Sequence, residues 1–421
     1  MTGNINIPGD KSISHRAVIL GAISKGETRV KGFLEGDDTI RTLKAFEECG
    51  VKWRREGEFI VIEGRGREGI KEPLVPIDLG NSGTGMRLLA GLFSGMDLFV
   101  ILTGDASLRS RPMKRVNEPL RKMGAHIDGR ENGSYAPLAI RGTQLTGIRH
   151  NMPVASAQIK SALLLAGLWA RGETWVQEPG PARNHTEIMI EQFGAKVKHK
   201  EAGWIGIDGE QGDSLHGCDV FVPGDISSAA FFIVAALISS GGELTVHDVG
   251  LNPTRTGILD ILREMGGNIE ERDASQTAGE PKADLAIRAS SLKGCEVSGE
   301  RVVRAIDEFP VLTVAAAYAR GDTVISDASE LRVKESDRIA SMTQELSKMG
   351  ADIEEKPDGM IIHGGKPLRG AVVDSRGDHR VAMALAVAAL GADGETLIRD
   401  TECITTSFPC FERLLGEATV P

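Results

Sequence analysis

The chain has 421 residues, of which 41% are hydrophobic and 26% charged, as in a globular protein of two or three domains. Its net charge of -10 argues against a nucleic-acid partner, because phosphate backbones bind to basic surfaces. No apolar run reaches the roughly 18 residues of a membrane span, and five scattered cysteines lack the spacing of a disulfide framework or zinc site, so we expect a cytoplasmic protein without a membrane partner.

The predicted elements begin with a strand at Asn4–Pro8 and a polar segment that leads into an apolar helix containing Ala17–Ala22. A strand with a leading glycine follows, and strands of this kind recur along the chain. They begin at Gly26, Gly95, Gly172, Gly242, Gly321 and Gly394. The period of about 69 to 80 residues is longer than that of a typical solenoid repeat. The sequence therefore predicts six internal repeats.

Each repeat has the same internal order. After the glycine-led strand comes a helix that ends at a glycine, as at Cys49-Gly50, because glycine commonly adopts the left-handed conformation just past a helix. Two alternating strands follow, as at Lys52–Arg55 and Phe59–Glu63, and an apolar helix then opens the next repeat. The sixth repeat is truncated, and we predict that the strand Asn4–Pro8 completes it.

Six repeats divide into two groups of three, which predicts an α/β protein with two similar domains of βαβαββ-type units. We expect residues 10–225 in the first domain and residues 1–9 with 226–421 in the second. A two-stranded hinge is expected near 9–11 and 224–226.

A short polar cluster precedes each apolar helix. The clusters are 10–16, 81–84, 156–160, 224–228, 306–308 and 377–380. A helix N-terminus exposes unpaired N–H groups and carries about half a positive charge. Six such ends, if they converge, predict a site for small anionic molecules.

Several charged residues in these clusters are unfavourably placed for a helix start. Lys11, Arg16 and Arg380 are cations at helix N-termini, where they oppose the helix dipole. A bound anion would offset this cost, although pairing with the neighbouring Asp10 or Asp378 is an alternative explanation.

Asp307 and the charged segment 334–338 each have two interpretations. Asp307 is either a residue of the helix N-cap region or a general base. The carboxylates among residues 334–338 are ordinary helix caps, or else Lys334 and Arg338, spaced i and i+4, face one ligand together.

The polar clusters and two further segments carry a family resemblance. They read PGDKSISHR at 8–16, LGNSGT at 79–84, SRPM at 110–113, LRVKESDR at 331–338 and GDHR at 377–380. In this order and context the chain resembles the 5-enolpyruvylshikimate-3-phosphate synthases, from Ile5 to about Phe411. The resemblance implies an inverse α/β barrel-like fold, with two domains that close over a cleft holding the active site.

The resemblance also implies a reaction. The carboxyvinyl group of phosphoenolpyruvate is transferred to the 5-hydroxyl of shikimate 3-phosphate and phosphate is released, a step of the shikimate pathway to chorismate and the aromatic amino acids. It implies no metal and no organic cofactor, a monomer, and glyphosate as an inhibitor that occupies the phosphoenolpyruvate site.

Site residues follow from the matched motifs. Asp307 is implied as the base for the 5-hydroxyl, with Glu335 or Lys11 as the acid that protonates the methylene. The residues implied for phosphoenolpyruvate are Lys11, Asn81, Gly83, Arg111, Gln158, Arg338 and Arg380. Those implied for shikimate 3-phosphate are Lys11, Ser12, Arg16, Ser156, Ala157, Gln158, Arg183, Asp307 and Lys334.

Three positions depart from the family pattern. Ala157 stands where many members have a second serine, Glu330 where asparagine is frequent, and Thr406 where some members have a lysine directed at phosphoenolpyruvate.

Two other functions are weighed. A UDP-N-acetylglucosamine 1-carboxyvinyltransferase would share the fold, but it has a Lys-Asn pair where Lys11-Ser12 stands and a reactive cysteine near Arg111. This chain has no cysteine between Cys49 and Cys218. A non-catalytic anion-binding protein of the same fold would be favoured by loss of Asp307 or Glu335, and both are present.

Overall fold

The structure is a computed structural model and describes residues 1–277 and 279–419. The strands are β1 (Gly3–Asn6), β2 (Lys25–Lys31), β3 (Lys52–Glu56), β4 (Phe59–Arg65), β5 (Ile77–Asp78), β6 (Phe99–Thr103), β7 (His126–Gly129), β8 (Tyr135–Arg141), β9 (Arg149–Asn151), β10 (Glu173–Gln177), β11 (Val197–Lys200), β12 (Trp204–Asp208), β13 (Asp219–Phe221), β14 (Glu243–Gly250), β15 (Asn268–Thr277), β16 (Glu280–Arg288), β17 (Glu296–Val297), β18 (Gly321–Ile325), β19 (Asp352–Lys356), β20 (Gly359–Gly364), β21 (Val372–Asp374) and β22 (Leu397–Arg399). The helices are α1 (Lys11–Ile23), α2 (Asp37–Glu48), α3 (Gly83–Ser94), α4 (Ala106–Ser110), α5 (Lys114–Lys122), α6 (Arg130–Gly133), α7 (Ala157–Gly167), α8 (His185–Gln192), α9 (Ile226–Ile238), α10 (Gly257–Glu264), α11 (Glu300–Arg304), α12 (Phe309–Tyr318), α13 (Arg338–Lys348), α14 (His379–Leu390) and α15 (Phe411–Thr419).

The chain divides into two compact units, and each is described by itself. One is Gly9–Val222, and the other combines Met1–Pro8 with the chain from Pro223 onward. The boundaries expected from the sequence, at 9–10 and 225–226, differ from these by a few residues. The hinge expected at these passages stays a prediction.

The polar clusters cap the apolar helices, which explains why these helices begin where they do. A side-chain oxygen in five clusters accepts a hydrogen bond from a backbone N–H of the first helical turn. These capping residues are Asp10, Ser82, Ser156, Asp225 and Asp378. The sixth helix, α12, differs: Glu308 occupies the N-cap position without a side-chain cap, and a proline lies in the first turn.

The apolar helices form the cores of the two units. In α9 every residue from Ile226 to Leu237 is buried, and α1 is buried from Ile13 to Ile23. In the Gly9–Val222 unit α3 lies against α7 so closely that a Cβ on Gly91 would be 2.2 Å from the carbonyl oxygen of Ala162. Because no side chain fits there, Gly91 allows these two helices to pack backbone to backbone.

The sheets repeat one pattern. In the Gly9–Val222 unit the strand orders are β13-β2-β4-β3, β5-β6-β8-β7 and β9-β10-β12-β11, and in the other unit they are β1-β14-β16-β15, β17-β18-β20-β19 and β21-β22. A parallel edge strand pairs with the glycine-led strand, and the remaining two strands are antiparallel. The six repeats predicted from the sequence are therefore present, and the sixth is the truncated two-stranded sheet.

The first strand corrects one expectation. We predicted that the N-terminal strand completes the sixth repeat, but β1 pairs in parallel with β14, so that Gly3 lies opposite Leu244 in the fourth. In the same way β13 pairs in parallel with β2 of the first repeat, with Asp219 opposite Arg29. Each of these edge strands precedes, in sequence, an apolar helix that belongs to the other unit.

No helix among the described residues is both long and apolar enough to span a bilayer.

Candidate active site

In the Gly9–Val222 unit, the start of α1 carries a fixed cation. The Lys11 ammonium lies 3.1 Å from Asp38 Oδ2 of α2, and the Lys11 side chain keeps 17% of its surface exposed. Asp38 therefore holds the ammonium of Lys11, which is also the first residue of α1 and so belongs to the turn that carries the unpaired N–H groups. Together they can attract an anion.

Arg111 is fixed next to the start of α3. Its Nη2 donates hydrogen bonds to Asn81 Oδ1 and, at 3.3 Å, to Ser107 Oγ. Asn81 in turn donates from Nδ2 to Asp105 Oδ2 at 2.7 Å. A Cβ on Gly83 would lie 3.1 Å from Arg111 Nη1, so three residues that the resemblance assigns to one substrate lie side by side.

Gln158 is connected to the same helix start by an arginine that the sequence interpretation missed. Arg87 Nη1 donates to Gln158 Oε1 at 2.8 Å and to the Gly83 carbonyl at 3.3 Å. Gln158 Nε2 donates to Thr84 Oγ1 at 3.0 Å. Arg87 could have been found from its spacing in the sequence, because a residue four positions after Gly83 lies on the same side of the helix that begins at Gly83.

Arg16 lies inside this unit rather than at its surface. Only 3% of the residue is exposed, and its Nε donates to Thr186 Oγ1 at 2.6 Å. Nη1 donates to the Ser12 carbonyl at 2.9 Å, and Nη2 donates to Ser161 Oγ at 2.8 Å. Arg16 thus connects α1 with α7 and α8, and its expected contact with a substrate stays a prediction.

The remaining predicted residues of this unit lie at and beyond the start of α7. Ser156 Oγ accepts a 3.4 Å hydrogen bond from the backbone N–H of Ile159, and Ala157 is the first helical residue. Arg183 lies between β10 and α8 and is partly exposed.

A buried lysine fixes the segment that carries Arg183. Lys160 is fully buried, and its ammonium lies 2.9 Å from Glu178 Oε1 and 2.6 Å from Glu187 Oε1. It also donates to the Ala182 carbonyl at 3.3 Å. Burial raises the pKa of Glu178 although the charge of Lys160 opposes this shift. These contacts flank Arg183 on both sides, and none of them was predicted from the sequence.

His15 supplies a testable pH dependence. Its ring is fully buried, with Nδ1 2.8 Å from Thr42 Oγ1, and burial followed by the charges of Lys11 and Arg16 holds its pKa well below 6.5. The unfolded state therefore binds the proton more readily, so stability is lost as the pH falls below 6.5.

We expect this single group to lower the free energy of unfolding by about 1.4 kcal/mol per pH unit in that range. Thermal unfolding midpoints of the wild type and of His15→Gln, measured from about pH 5.5 to about pH 7.5, would show a flatter dependence for the variant. Equal slopes would contradict a neutral buried His15.

In the other unit, Asp307 lies within a group of three cations. Its Oδ1 is 3.4 Å from Lys334 Nζ and 3.5 Å from Arg338 Nη1, and its Oδ2 is 4.0 Å from Arg380 Nη2. Lys334 and Arg338 therefore both contact the carboxylate of Asp307, although Lys334 precedes α13 and the two are not an i, i+4 pair within one helix; that they face one ligand stays a prediction. Asp307 precedes α12 and does not act as its side-chain cap.

Arg338 is held by two further carboxylates. Its Nε donates to Asp378 Oδ2 at 2.9 Å, and its Nη2 donates to Glu335 Oε2 at 2.7 Å. Burial acts to raise the pKa of Asp378, but the charge and hydrogen bond of Arg338 together with the charge of His379 outweigh it, and the pKa lies below its ordinary value. Burial likewise acts to lower the pKa of Arg338, yet the nearby carboxylates raise it overall. Both groups are therefore charged at neutral pH.

Arg380 is the second residue of α14 and contacts residues at the start of α12. Its Nη1 donates to the Asp307 carbonyl at 3.0 Å and lies 3.9 Å from Glu308 Oε1. The carboxylate of Asp378 accepts from the backbone N–H of Arg380 at 2.9 Å and pairs with the side chain of Arg338. The alternative pairing considered above, Arg380 with Asp378, thus takes the form of a backbone cap.

Two of the three departures from the family pattern lie in 3-10 turns. Glu330 belongs to the turn Ser329–Val333, and Thr406 ends the turn Thr401–Thr406. Thr406 Oγ1 donates to the carbonyl of Cys403 at 2.7 Å, so its hydroxyl has a partner within its own turn.

Known proteins resemble this chain over its whole length. A family model described as EPSP synthase (3-phosphoshikimate 1-carboxyvinyltransferase) matches residues 1–415. A 3-phosphoshikimate 1-carboxyvinyltransferase of Geobacter sulfurreducens is 56% identical over 420 residues, covering 100% of this chain and 97% of that protein. One of Bacillus thuringiensis is 50% identical over 419 residues, with coverages of 100% and 97%. A solved structure of EPSP synthase from Acinetobacter baumannii has a TM-score of 0.87 and 46% identity, and covers 99% of this chain and 95% of that one.

Proposed function

The chain belongs to the EPSP synthase family, and from this premise we propose which of its residues carry out the reaction. The chain is an enzyme with 3-phosphoshikimate 1-carboxyvinyltransferase activity in the shikimate pathway. It transfers the carboxyvinyl group of phosphoenolpyruvate to the 5-hydroxyl of shikimate 3-phosphate and releases phosphate. The alternative acceptor, UDP-N-acetylglucosamine, is not favoured.

The observation that carries our assignment of roles is the position of Asp307 among Lys334, Arg338 and Arg380. Three cations hold this carboxylate in one orientation, and a carboxylate positioned beside a substrate hydroxyl can accept its proton. They also attract the anionic groups of the substrates. We assign Asp307 as the base that takes the proton from the 5-hydroxyl.

We assign the general acid to Glu335, which lies next to the cations around Asp307. Glu335 lies beside Arg338 at 2.7 Å, and its side chain is 19% exposed, so a substrate can reach it. We propose that Glu335 delivers the proton to the methylene carbon, with Lys11 as the alternative donor. Protonation there makes the adjacent carbon electrophilic, the 5-hydroxyl oxygen adds to it, and loss of phosphate with a methyl proton restores the double bond.

We assign substrate-binding residues from the groups that can attract anions. Both carry phosphate and carboxylate, for which arginine offers two parallel N–H donors. For phosphoenolpyruvate we propose Lys11, Asn81, Gly83, Arg111, Gln158, Arg338 and Arg380, and we add Arg87. For shikimate 3-phosphate we propose Lys11, Ser12, Arg16, Ser156, Ala157, Gln158, Arg183, Asp307 and Lys334. We further propose that the enzyme acts as a monomer in the cytoplasm, where its five free thiols would stay reduced.

A comparison of acceptors tests the activity. Phosphate release from phosphoenolpyruvate is measured with shikimate 3-phosphate or with UDP-N-acetylglucosamine as the second substrate. We expect release with shikimate 3-phosphate alone. Phosphate release with the nucleotide sugar, or no phosphate release with either acceptor, would contradict the function.

Glyphosate inhibition gives a prediction at Gly83. A Cβ there would lie 2.9 Å from Arg87 Nη1 and 3.1 Å from Arg111 Nη1, so both guanidinium groups must shift. Glyphosate is longer than phosphoenolpyruvate, so we expect Gly83→Ala to weaken inhibition by about tenfold or more and to raise the KM of phosphoenolpyruvate less.

The control is Gly416→Ala, because a Cβ on that helical glycine meets nothing within 4 Å. Inhibition constants for both variants are measured at several concentrations of phosphoenolpyruvate. Unchanged inhibition of Gly83→Ala would remove Gly83 from the inhibitor site.

A further inference from the structure

Glu308 is a buried carboxylate next to the proposed base, and the mechanism above gives it no role. Only 1% of the residue is exposed, although its position is the N-cap of α12. Its side chain does not cap that helix. Its Oε1 instead accepts a hydrogen bond from Ser227 Oγ of α9, and its Oε2 has no hydrogen-bond partner among the described residues.

The hydroxyl that holds Glu308 is itself held by a buried arginine. Arg255 Nη2 donates to Ser227 Oγ at 2.8 Å and to Asp225 Oδ1 at 3.0 Å. Because Ser227 accepts from Arg255, its own proton points towards Glu308. Arg255 is 2% exposed, so this chain of contacts is shielded from water. Glu308 is thereby fixed at one place in the unit.

The cation that Glu308 faces is Arg380. Glu308 Oε1 lies 3.9 Å from Arg380 Nη1, the atom that also donates to the Asp307 carbonyl. A buried carboxylate is costly without a nearby cation, and the arrangement therefore favours Arg380 in this position. One guanidinium nitrogen is thus directed at the start of α12, which sets the orientation of the whole planar group.

We propose that Glu308 is a positioning residue that orients Arg380 towards an anionic group of phosphoenolpyruvate. The inference rests on the proposed role of Arg380 in binding that substrate. Glu308 itself does not touch the substrate. Its effect is exerted through the guanidinium, whose hydrogen bonds to an anion depend on orientation.

The test is a cycle of four proteins: the wild type, Glu308→Gln, Arg380→Lys and the double variant. Glutamine keeps the size of the side chain and an oxygen for Ser227 but removes the charge. We expect Glu308→Gln to raise the KM of phosphoenolpyruvate about tenfold, with a smaller change in the KM of shikimate 3-phosphate. In the Arg380→Lys background the same change should have little further effect, because the oriented guanidinium is already gone.

Equal effects of Glu308→Gln in both backgrounds would overturn the inference, since a loss of general stability acts without Arg380. A fall in the KM of phosphoenolpyruvate would also overturn it, because Glu308 would then only weaken the attraction of the cation. Glu280→Gln serves as the control, since Glu280 is a buried carboxylate of the same unit that accepts from Asn252 at 3.0 Å. An unchanged KM in Arg380→Lys would instead contradict the proposed role of Arg380.

Glu308→Asp tests whether the negative charge or the length of the side chain matters at this position. Aspartate keeps the charge but is one methylene shorter, so partial recovery relative to Glu308→Gln is expected. Thermal unfolding with and without phosphoenolpyruvate shows whether each variant is folded and still binds that substrate. Aspartate that performs no better than glutamine in a folded protein would contradict a role for the charge.

Discussion

Asp307→Asn is expected to lower kcat by about 10²- to 10⁴-fold, because an amide of the same size cannot accept the hydroxyl proton. The variant should still bind phosphoenolpyruvate. Lys334, Arg338 and Arg380 remain in place, and removal of a negative charge among them favours an anion. Phosphate release gives kcat, and the rise in thermal midpoint on addition of phosphoenolpyruvate gives binding.

Asp327→Asn is the matched control for this loss. Asp327 is an exposed aspartate of the same unit that accepts a hydrogen bond from the backbone N–H of Gly299 at 3.0 Å. Its φ of 60° is tolerated by asparagine, so the control should fold normally. A near-normal kcat in Asp307→Asn would remove Asp307 from the chemistry. If Asp307→Asn lost phosphoenolpyruvate binding as well as kcat, Asp307 would be needed to maintain the structure of the site and not as the base.

Lys160→Met is expected to cause the largest loss of stability, about 3–5 kcal/mol. The change leaves Glu178 and Glu187 buried without the ammonium that lies 2.9 and 2.6 Å from them. We expect the thermal midpoint to fall by about 10 °C. Lys114→Met is the matched control, because Lys114 is 65% exposed and its 3.5 Å pair with Glu118 lies at the surface.

The pH dependence of the Lys160→Met defect identifies its cause. Burial already raises the pKa of Glu178, and loss of the lysine charge should raise it further. The folded variant then binds protons more readily than the unfolded chain, so stability is lost as the pH rises above the ordinary carboxyl pKa of about 4.3. The defect should therefore shrink on acidification. A defect that is the same at every pH would indicate a packing fault instead.

Much of the fold follows from local sequence signals. The capping residues and the apolar runs are adjacent in sequence, so the starts of α1, α3, α7, α9 and α14 are readable without a structure. The partner of β1 is not readable in this way. Its pairing with β14 joins residues that are far apart in the chain, and both the fourth and the sixth repeat offer a glycine-led strand as a partner.

The candidate site was predictable where charge stands against the helix dipole, as at Lys11 and Arg380. Lys160 and Glu308 lie in the polar clusters 156–160 and 306–308, but their contacts and those of Arg87 were missed, because sequence spacing does not show which buried group a charge in or beside an apolar helix meets. Only the packing of α3, α7 and α12 shows that their partners are Gln158, two glutamates and Arg380. Which residues bind substrates stays a prediction that the mutations above test.

The chain passes between the two units twice, once after β1 and once after β13, and this determines how it could be cut and rejoined. The backbone N–H of Thr2 donates to the Ala418 carbonyl at 3.3 Å, so the first and last described segments are neighbours. A circular permutant that joins the old ends and begins at Gly9 would make each unit one continuous stretch, connected to the other by a single covalent passage. The natural order instead connects them twice, so after one proteolytic cut between Val222 and Pro223 the segment Met1–Pro8 stays covalently joined to Gly9–Val222, and the pairing of β1 with β14 still holds that segment to the chain from Pro223 onward.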